Sequence, residues 1–311
     1  MFTSERLKGI DVFVAVSQTG SFTSAADKLS VSNSAISKSI SRLERRLSVK
    51  LFHRTTRRLS LTEAGKVFYK TCSRVLDKLE QAEHTLRNEQ GEVAGRVRID
   101  LPASYGRRHA LPAILNLVDI YPDLQPHISF TDQFVDLLVQ DIDVVVRIGW
   151  PDPWLEGVRH HQFGSERLVY CAAPSYLNDH PAPSSFDELE AHHLVLYGRT
   201  DGVLSPWYLG DGSTGERQRR SMPARLAAGD GEGVMISVLA GFGIAQLPTW
   251  LIQEYLDRGA LIQVLPELAS KGRPMHLAWL KRSESLPRVE AVVGWLKQKL
   301  TDPCPSNPDY S

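Results

Sequence analysis

The chain has 311 residues, 42% of them hydrophobic and 23% charged, and its 36 Lys+Arg balance 36 Asp+Glu to a formal charge of zero. Those proportions belong to an ordinary globular protein of two or three domains. The balance is uneven along the chain: residues 1–90 carry 16 Lys+Arg against 9 Asp+Glu, a net of +7, and the remainder carries −7. A uniformly neutral chain would argue against a nucleic-acid partner, whereas this split points to a basic module joined to an acidic one.

No apolar run reaches the roughly 18 residues a membrane span needs. The N-terminus also lacks the basic-then-apolar order of a signal peptide, so the cytoplasm is the expected location and no membrane partner is expected. Cys72, Cys171 and Cys304 lie too far apart in sequence for a CxxC metal site or a recognisable disulfide framework.

In chain order, residues 1–61 read as short helices closed by a hairpin. Leu7, Ile10, Phe13, Val14 and Val16 recur three and four apart, which predicts a first helix, and Gly20 followed by Ser21 supplies a stop and a new N-cap. A second helix over residues 22–29 carries Ala25 and Ala26, small enough for another helix to approach closely. The polar run from Ser30 through Ser32 and Asn33 to Ser34 is a turn and a fresh N-cap, because such side chains accept hydrogen bonds from free helical N–H groups.

In the third helix, Ile36, Ile40, Leu43 and Leu47 form one apolar stripe, with Ser34, Ser37, Lys38, Ser41, Arg42 and Arg45 on the remaining faces. Small hydroxyls and long cations can enter a major groove, bonding to base edges and phosphates. A solvated basic face on a structural helix is the alternative. The continuation favours DNA: residues 51–61 read as two short strands around a turn with Arg54, Arg57 and Arg58, a basic wing after a reading helix.

Residues 62–90 predict one long helix, capped by Thr62 and Glu63, with Phe68, Cys72, Val75, Leu79, Ala82 and Leu86 in steps of four and three. That row is a seam for a partner helix, or for packing on the same domain. A hinge is expected at 91–95. Beyond it strands are predicted at 96–101, 124–130, 144–148, 168–172, 193–196, 243–247 and 275–280, and helices at 110–120, 134–139, 233–240 and 288–300. This alternation predicts a mostly parallel α/β sheet. The tail, 301–311, is proline-rich and expected to be disordered.

Other motifs carry less. The turn Gly229, Asp230, Gly231, Glu232, Gly233 lacks the Lys-Ser or Lys-Thr of a phosphate loop and reads as a polar turn before a helix. The pairs His160-His161 and His192-His193 have no Cys or carboxylate at metal-ligand spacing and read as surface or strand-edge residues; no metal and no cofactor is expected. No GxSxG elbow occurs, and no catalytic residue is assigned. The residues alone leave two functions open: a DNA-binding regulator gated by a small molecule, or a solute-binding or enzymatic α/β domain whose N-terminal helices only dimerise it.

The order and spacing of several segments resemble LysR-type transcriptional regulators. They are residues 22–29 with the turn that follows, Ala35-Ile36-Ser37-Lys38, Leu43-Glu44, Leu51-Phe52-x-Arg54, Arg57 and Leu61-Thr62-x-Ala64-Gly65. Tyr121-Pro122, Asp143 to Arg147 and Gly241-x-Gly243-Ile244-Ala245-x-Leu247-Pro248 resemble the family's effector domain more loosely. Asp136-Leu137-Leu138 leading to Asp143–Gly149, with Tyr170-Cys171-Ala172 before Pro174-x-Tyr176-Leu177, look like a large subgroup that answers to varied small molecules.

The resemblance implies a winged helix-turn-helix, a dimerising linker helix and a two-lobed α/β domain like a periplasmic binding protein, assembled as a dimer or tetramer and without catalysis. The lobes would comprise about 96–165 with 266–300, and about 166–265. Carried over by position, Ser32, Asn33, Ser34, Ala35, Ser37 and Lys38 meet the major groove of an inverted repeat, Arg42 the phosphates, and Arg54 and Arg57 lie in the wing. Asn33 stands where many relatives have Gln, so its base preference is not transferable.

Effector candidates are Ser104, Thr131, Asp132, Arg147, Tyr197, Gly229 and Asp230. Ligands of parallel α/β sheets lie beyond the carboxyl ends of the strands, where helix N-termini favour anions. Ser104 and Thr131 can donate hydrogen bonds and Arg147 could clamp a carboxylate. Asp132, if it faces the cleft, suits an amine or hydroxyl. An organic or aromatic acid is ranked slightly ahead, and RNA polymerase is a further expected partner.

Overall fold

The computed structural model describes residues 7–54, 59–87, 91–149, 154–199, 201–210 and 217–300. Its contacts divide the chain into two units, Met1–Gln90 and Gly91–Ser311.

In the first unit, α1 (Ile10–Thr19) ends at Gly20 in the left-handed conformation, and the Ser21 side chain accepts from Ser24 N–H to start α2 (Phe22–Leu29). Ser32 caps α3 (Asn33–Leu47) by accepting from Ala35 N–H. Ala25, Ala26, Ile36, Ile40 and Leu43 are buried against Phe13 and Val16, the close packing that small residues permit. Leu47, expected in that stripe, is exposed, and Glu44 is buried in its place. Strands β1 (Phe52–Arg54) and β2 (Leu59–Leu61) form the antiparallel wing, with Phe52 opposite Leu61. The turn between them, with Arg57, and the Arg54 side chain lie outside the described residues.

Thr62 Oγ1 accepts from Gly65 N–H at the start of α4 (Glu63–Arg87). The expected seam divides. Phe68 and Cys72 pack into the unit's own core, Phe68 against Phe13, whereas Val75 and Leu79 are exposed. The side chains of Ala82 and Leu86 lie outside the described part.

The second unit opens at the expected hinge, where Val93 packs against a core and Gly95 already belongs to β3 (Gly95–Leu101). Next come α5 (Ala103–Tyr105), a π turn at Gly106–Ala110 and α6 (Leu111–Ile120), so the helix expected from residue 110 starts at 103. Elements β4 (Leu124–Phe130), α7 (Leu137–Gln140), β5 (Val144–Ile148), β6 (Val158–Ala172), α8 (Pro174–Asp179), β7 (Val195–Tyr197), β8 (Trp207–Gly210) and β9 (Arg217–Arg220) follow. The chain continues through β10 (Leu226–Ala228), α9 (Gly231–Leu239), β11 (Ile244–Pro248), α10 (Thr249–Asp257), β12 (Ile262–Val264), β13 (Ser270–Leu280) and α11 (Pro287–Lys299). The tail from Thr301 lies outside the described residues.

The main sheet has the order β11-β6-β13-β5-β3-β4, with β12 also on β6. It is mixed rather than mostly parallel: β3 runs parallel to β4 and β5, but β13 is antiparallel to both β5 and β6. The reason is connectivity. The chain leaves one lobe along β6 and returns along β13, so these long strands must oppose one another. Their register shifts between Lys271 and Pro274, and again between Met275 and His276. One lobe buries Ile99, Leu101, Ile114, Leu117, Val292 and Leu296 between sheet and helices. The other packs α9 and α10 on β11 through Val234, Val238, Leu247 and Leu251.

Candidate functional site

Two surfaces are candidates, one in each unit. In the first unit the buried row Ile36, Ile40 and Leu43 fixes which side of α3 faces water. Ser32, Asn33, Ser34, Ala35, Lys38 and Arg42 are exposed and Ser37 is half-buried. Asn33 and Ser34 stand in the first helical turn rather than in the preceding loop, and the Ser32 and Ser34 hydroxyls are 3.0 Å apart. Helix N-terminal N–H groups, short hydroxyls and Ala35 at one end, with two cations further along, leave room for close approach to a phosphate backbone.

In the second unit four of the seven effector candidates converge where the lobes meet. Ser104, buried just after β3, accepts from the backbone N–H of Glu232 at 3.2 Å in the first turn of α9. Asp132, after β4, accepts from Ala103 N–H at 2.9 Å and from the Tyr197 hydroxyl at 3.4 Å across the cleft. Asp230 caps α9, accepting from Gly233 N–H at 2.7 Å, and its charge reaches Asp132. Burial raises the Asp132 carboxyl above its ordinary range, and the Ala103 N–H and the Arg147 charge offset only part of this. Burial, reinforced by Asp132, pushes the Tyr197 phenol up to about 12.

The other three candidates stand apart. Thr131 accepts from Gln133 N–H within its own turn. Gly229 precedes the α9 cap, near the backbone of Gly198. Arg147, expected as a clamp, is buried and paired with Asp100 on the neighbouring strand.

Sequence reasoning missed the groups that bind the lobes together. Arg107 and Arg108 reach Glu232 at 3.2 and 3.6 Å, and Arg108 also donates to Leu251 O at 3.2 Å. Trp250 meets Tyr105 edge-on at 5.2 Å and donates to Glu166 at 3.3 Å. The π turn carries Arg107 and Arg108, its extra residue per turn offsetting them from regular helical spacing. The available signal was the cationic pair three and four residues after Ser104. The histidine pairs lie elsewhere: His160 stacks on Trp154, and His192 and His193 gather around Tyr176.

Residues 7–66 match the model of the bacterial regulatory helix-turn-helix protein, lysR family, and residues 90–301 match the LysR substrate binding domain. The HTH-type transcriptional activator TtdR of Escherichia coli is 31% identical over 305 residues, covering 95% of each chain. PtxR, an HTH-type transcriptional regulator of Pseudomonas aeruginosa, is 33% identical over 298 residues, covering 94% of this chain and 93% of its own. Among solved structures, full-length AphB of Vibrio cholerae, described as a virulence activator of the LTTR family, is 29% identical with a TM-score of 0.65, covering 95% of this chain and all of its own. CrgA of Neisseria meningitidis, a LysR-type regulator, is 28% identical with a TM-score of 0.59, covering 96% of this chain and 99% of its own. With a helix-turn-helix at one end and a two-lobed sensor domain at the other, the chain belongs to the LysR family of DNA-binding transcriptional regulators.

Proposed function

We propose that α3 and the wing read an inverted repeat in duplex DNA, that the protein works as a dimer or tetramer paired through α4, and that a small molecule held between the lobes changes promoter output. The observation that carries the reading is the exposed row Ser32, Asn33, Ser34, Ala35, Lys38 and Arg42 over a buried stripe. Ser37 joins that row, with Arg54 and Arg57 in the wing. Effector-driven movement of the lobes, passed through residues 91–95, changes the spacing of paired reading heads and the DNA bend, and so the recruitment or exclusion of RNA polymerase.

The test is salt. Binding to an inverted repeat falls steeply with ionic strength, and Lys38→Ala reduces the slope of log affinity against log salt by about 1 while weakening all sequences alike. A chain indifferent to duplex DNA at low salt ends this reading.

For the effector, Ser104, Asp132, Tyr197 and Asp230 form the proposed site, with Thr131 and Gly229 next to it in sequence and Arg147 behind it through its pair with Asp100. An organic or aromatic acid is the proposed class. The upward direction of the Asp132 shift, caused by burial, supports it, because any proton the carboxyl takes up weakens its repulsion of a ligand carboxylate and supplies a hydrogen-bond donor. Lower pH favours that protonated form, so thermal stabilisation by acids increases as pH falls toward the carboxylate range. The measurement is a thermal shift across a panel of small organic and aromatic acids and the matching primary amines. Stabilisation by amines alone, fading as pH falls, would reverse the assignment in favour of an amine.

A further inference from the structure

The buried end of α3 holds a charge. Glu44 follows Ile40 by four residues, the next place on the apolar row, and is only 4% exposed. An isolated carboxylate there would be costly, and the chain supplies it with donors from the segment that starts the wing. The Glu44 Oε1 accepts from the N–H groups of Leu51 at 2.9 Å and Phe52 at 3.3 Å, and Oε2 accepts from Lys50 Nζ at 2.9 Å. The backbone reaches this arrangement through a tight return: Ser48 adopts a left-handed conformation and Val49 N–H bonds back to the Glu44 carbonyl at 3.1 Å.

The same three residues hold the far side of the wing. Thr62 N–H donates to Leu51 O at 2.9 Å and the Thr62 hydroxyl to Lys50 O at 2.7 Å, just beyond β2. Both strands of the hairpin therefore hang from residues 50–52, and that root is fixed to the reading helix by one carboxylate. Phe52 adds packing against Phe13 and Phe22, with ring centres at 5.5 and 6.3 Å, but rings can slide where a shared acceptor cannot. Burial acts to raise the Glu44 carboxyl, and the bonds from Lys50, Leu51 and Phe52 override it and hold the group below its ordinary range, as a carboxylate.

We infer that Glu44 is a positioning residue for DNA binding: it fixes the wing against the reading helix so that both engage one duplex together. The inference rests on the DNA-binding reading above. Neither the helix nor the wing need bind tightly alone, because a rigid link makes the second contact intramolecular. Without the link, the wing cations contribute separately and weakly.

The experiment compares the full-length wild type with Glu44→Gln, Glu44→Leu and Glu44→Asp on a duplex selected by the wild type from a randomised pool, measuring affinity across a salt series. Glutamine keeps an acceptor oxygen for both N–H groups and stays within about threefold of wild type with the same slope, whereas leucine has none and loses about tenfold or more with a slope smaller by about 2. Should Glu44→Leu fail to unfold cooperatively, Glu44→Asp, too short to span both N–H groups, carries the test and loses about 1 from the slope. Weaker binding with an unchanged slope in the folded variants overturns the inference, because Glu44 then only supports the fold. If the wild type selects no duplex at all, the failure lies with the DNA-binding reading itself.

Discussion

Replacing Arg147 with leucine is expected to cost the second unit about 3–5 kcal/mol, the range for stranding one partner of a buried ion pair. Arg147 is 5% exposed and Asp100 is 2% exposed. One arginine nitrogen meets Asp100 Oδ1, and the other donates to Val146 O at 2.7 Å. The second oxygen of Asp100 is satisfied by Ser129, a neutral donor, so the leucine variant leaves a buried carboxylate that has lost the opposite charge paired with it. The Asp100→Leu, Arg147→Leu double variant should recover most of the loss, because removing both charges also removes their desolvation cost. All six tryptophans lie after residue 91, so urea unfolding followed by tryptophan fluorescence reports on this unit alone. A loss below about 1 kcal/mol, the scale of a surface pair, would contradict a structural role.

Gly65→Ala should be the most damaging small substitution in the first unit. Glycine to alanine inside a helix ordinarily stabilises by about 1 kcal/mol. At Gly65 the sign reverses, because an added Cβ would lie 2.1 Å from the Leu51 carbonyl oxygen and 3.0 Å from the Leu61 side chain. Neither the first turn of α4 nor the root of the wing can yield without losing the Thr62 to Leu51 hydrogen bond. Overpacking together with a lost bond sets the expected cost at about 3 kcal/mol, read from the far-UV thermal transition. A melting temperature equal to or above that of the wild type would show that the contact relaxes without penalty.

These two sites also mark where the sequence could and could not be read. The helix-turn-helix was legible because its signals are local: the Gly20 stop, the Ser21 and Ser32 caps, and the spacing of Ile36, Ile40 and Leu43 all act within a few residues. The inward face of Glu44 was not, since its donors lie beyond a left-handed turn that the helical period does not foretell. In the second unit β5 and β11 stood out as apolar runs. The first half of β6, through Arg159, His160, His161 and Gln162, is polar and largely exposed, and it is a strand because β13 pairs with it from far along the chain.

The cleft candidates divide on the same principle. Ser104 and Asp132 follow strand ends and Tyr197 closes β7, all predictable places for a site. Arg147 sits within β5, and its role depended on Asp100, a charge on another strand. The Arg107, Arg108 and Glu232 contacts arise from a π turn, a defect in helical period that a search for regular spacing passes over.

The paired strands β6 and β13 set the mechanics of the sensor. Joined side by side and antiparallel, they form a ribbon that resists stretching through its hydrogen bonds but twists readily, the more so at irregularities such as those flanking Pro274 and Met275. Torsion is therefore the soft degree of freedom between the lobes and separation the stiff one. An effector that bridges the lobes would therefore be felt first as a change in their relative twist.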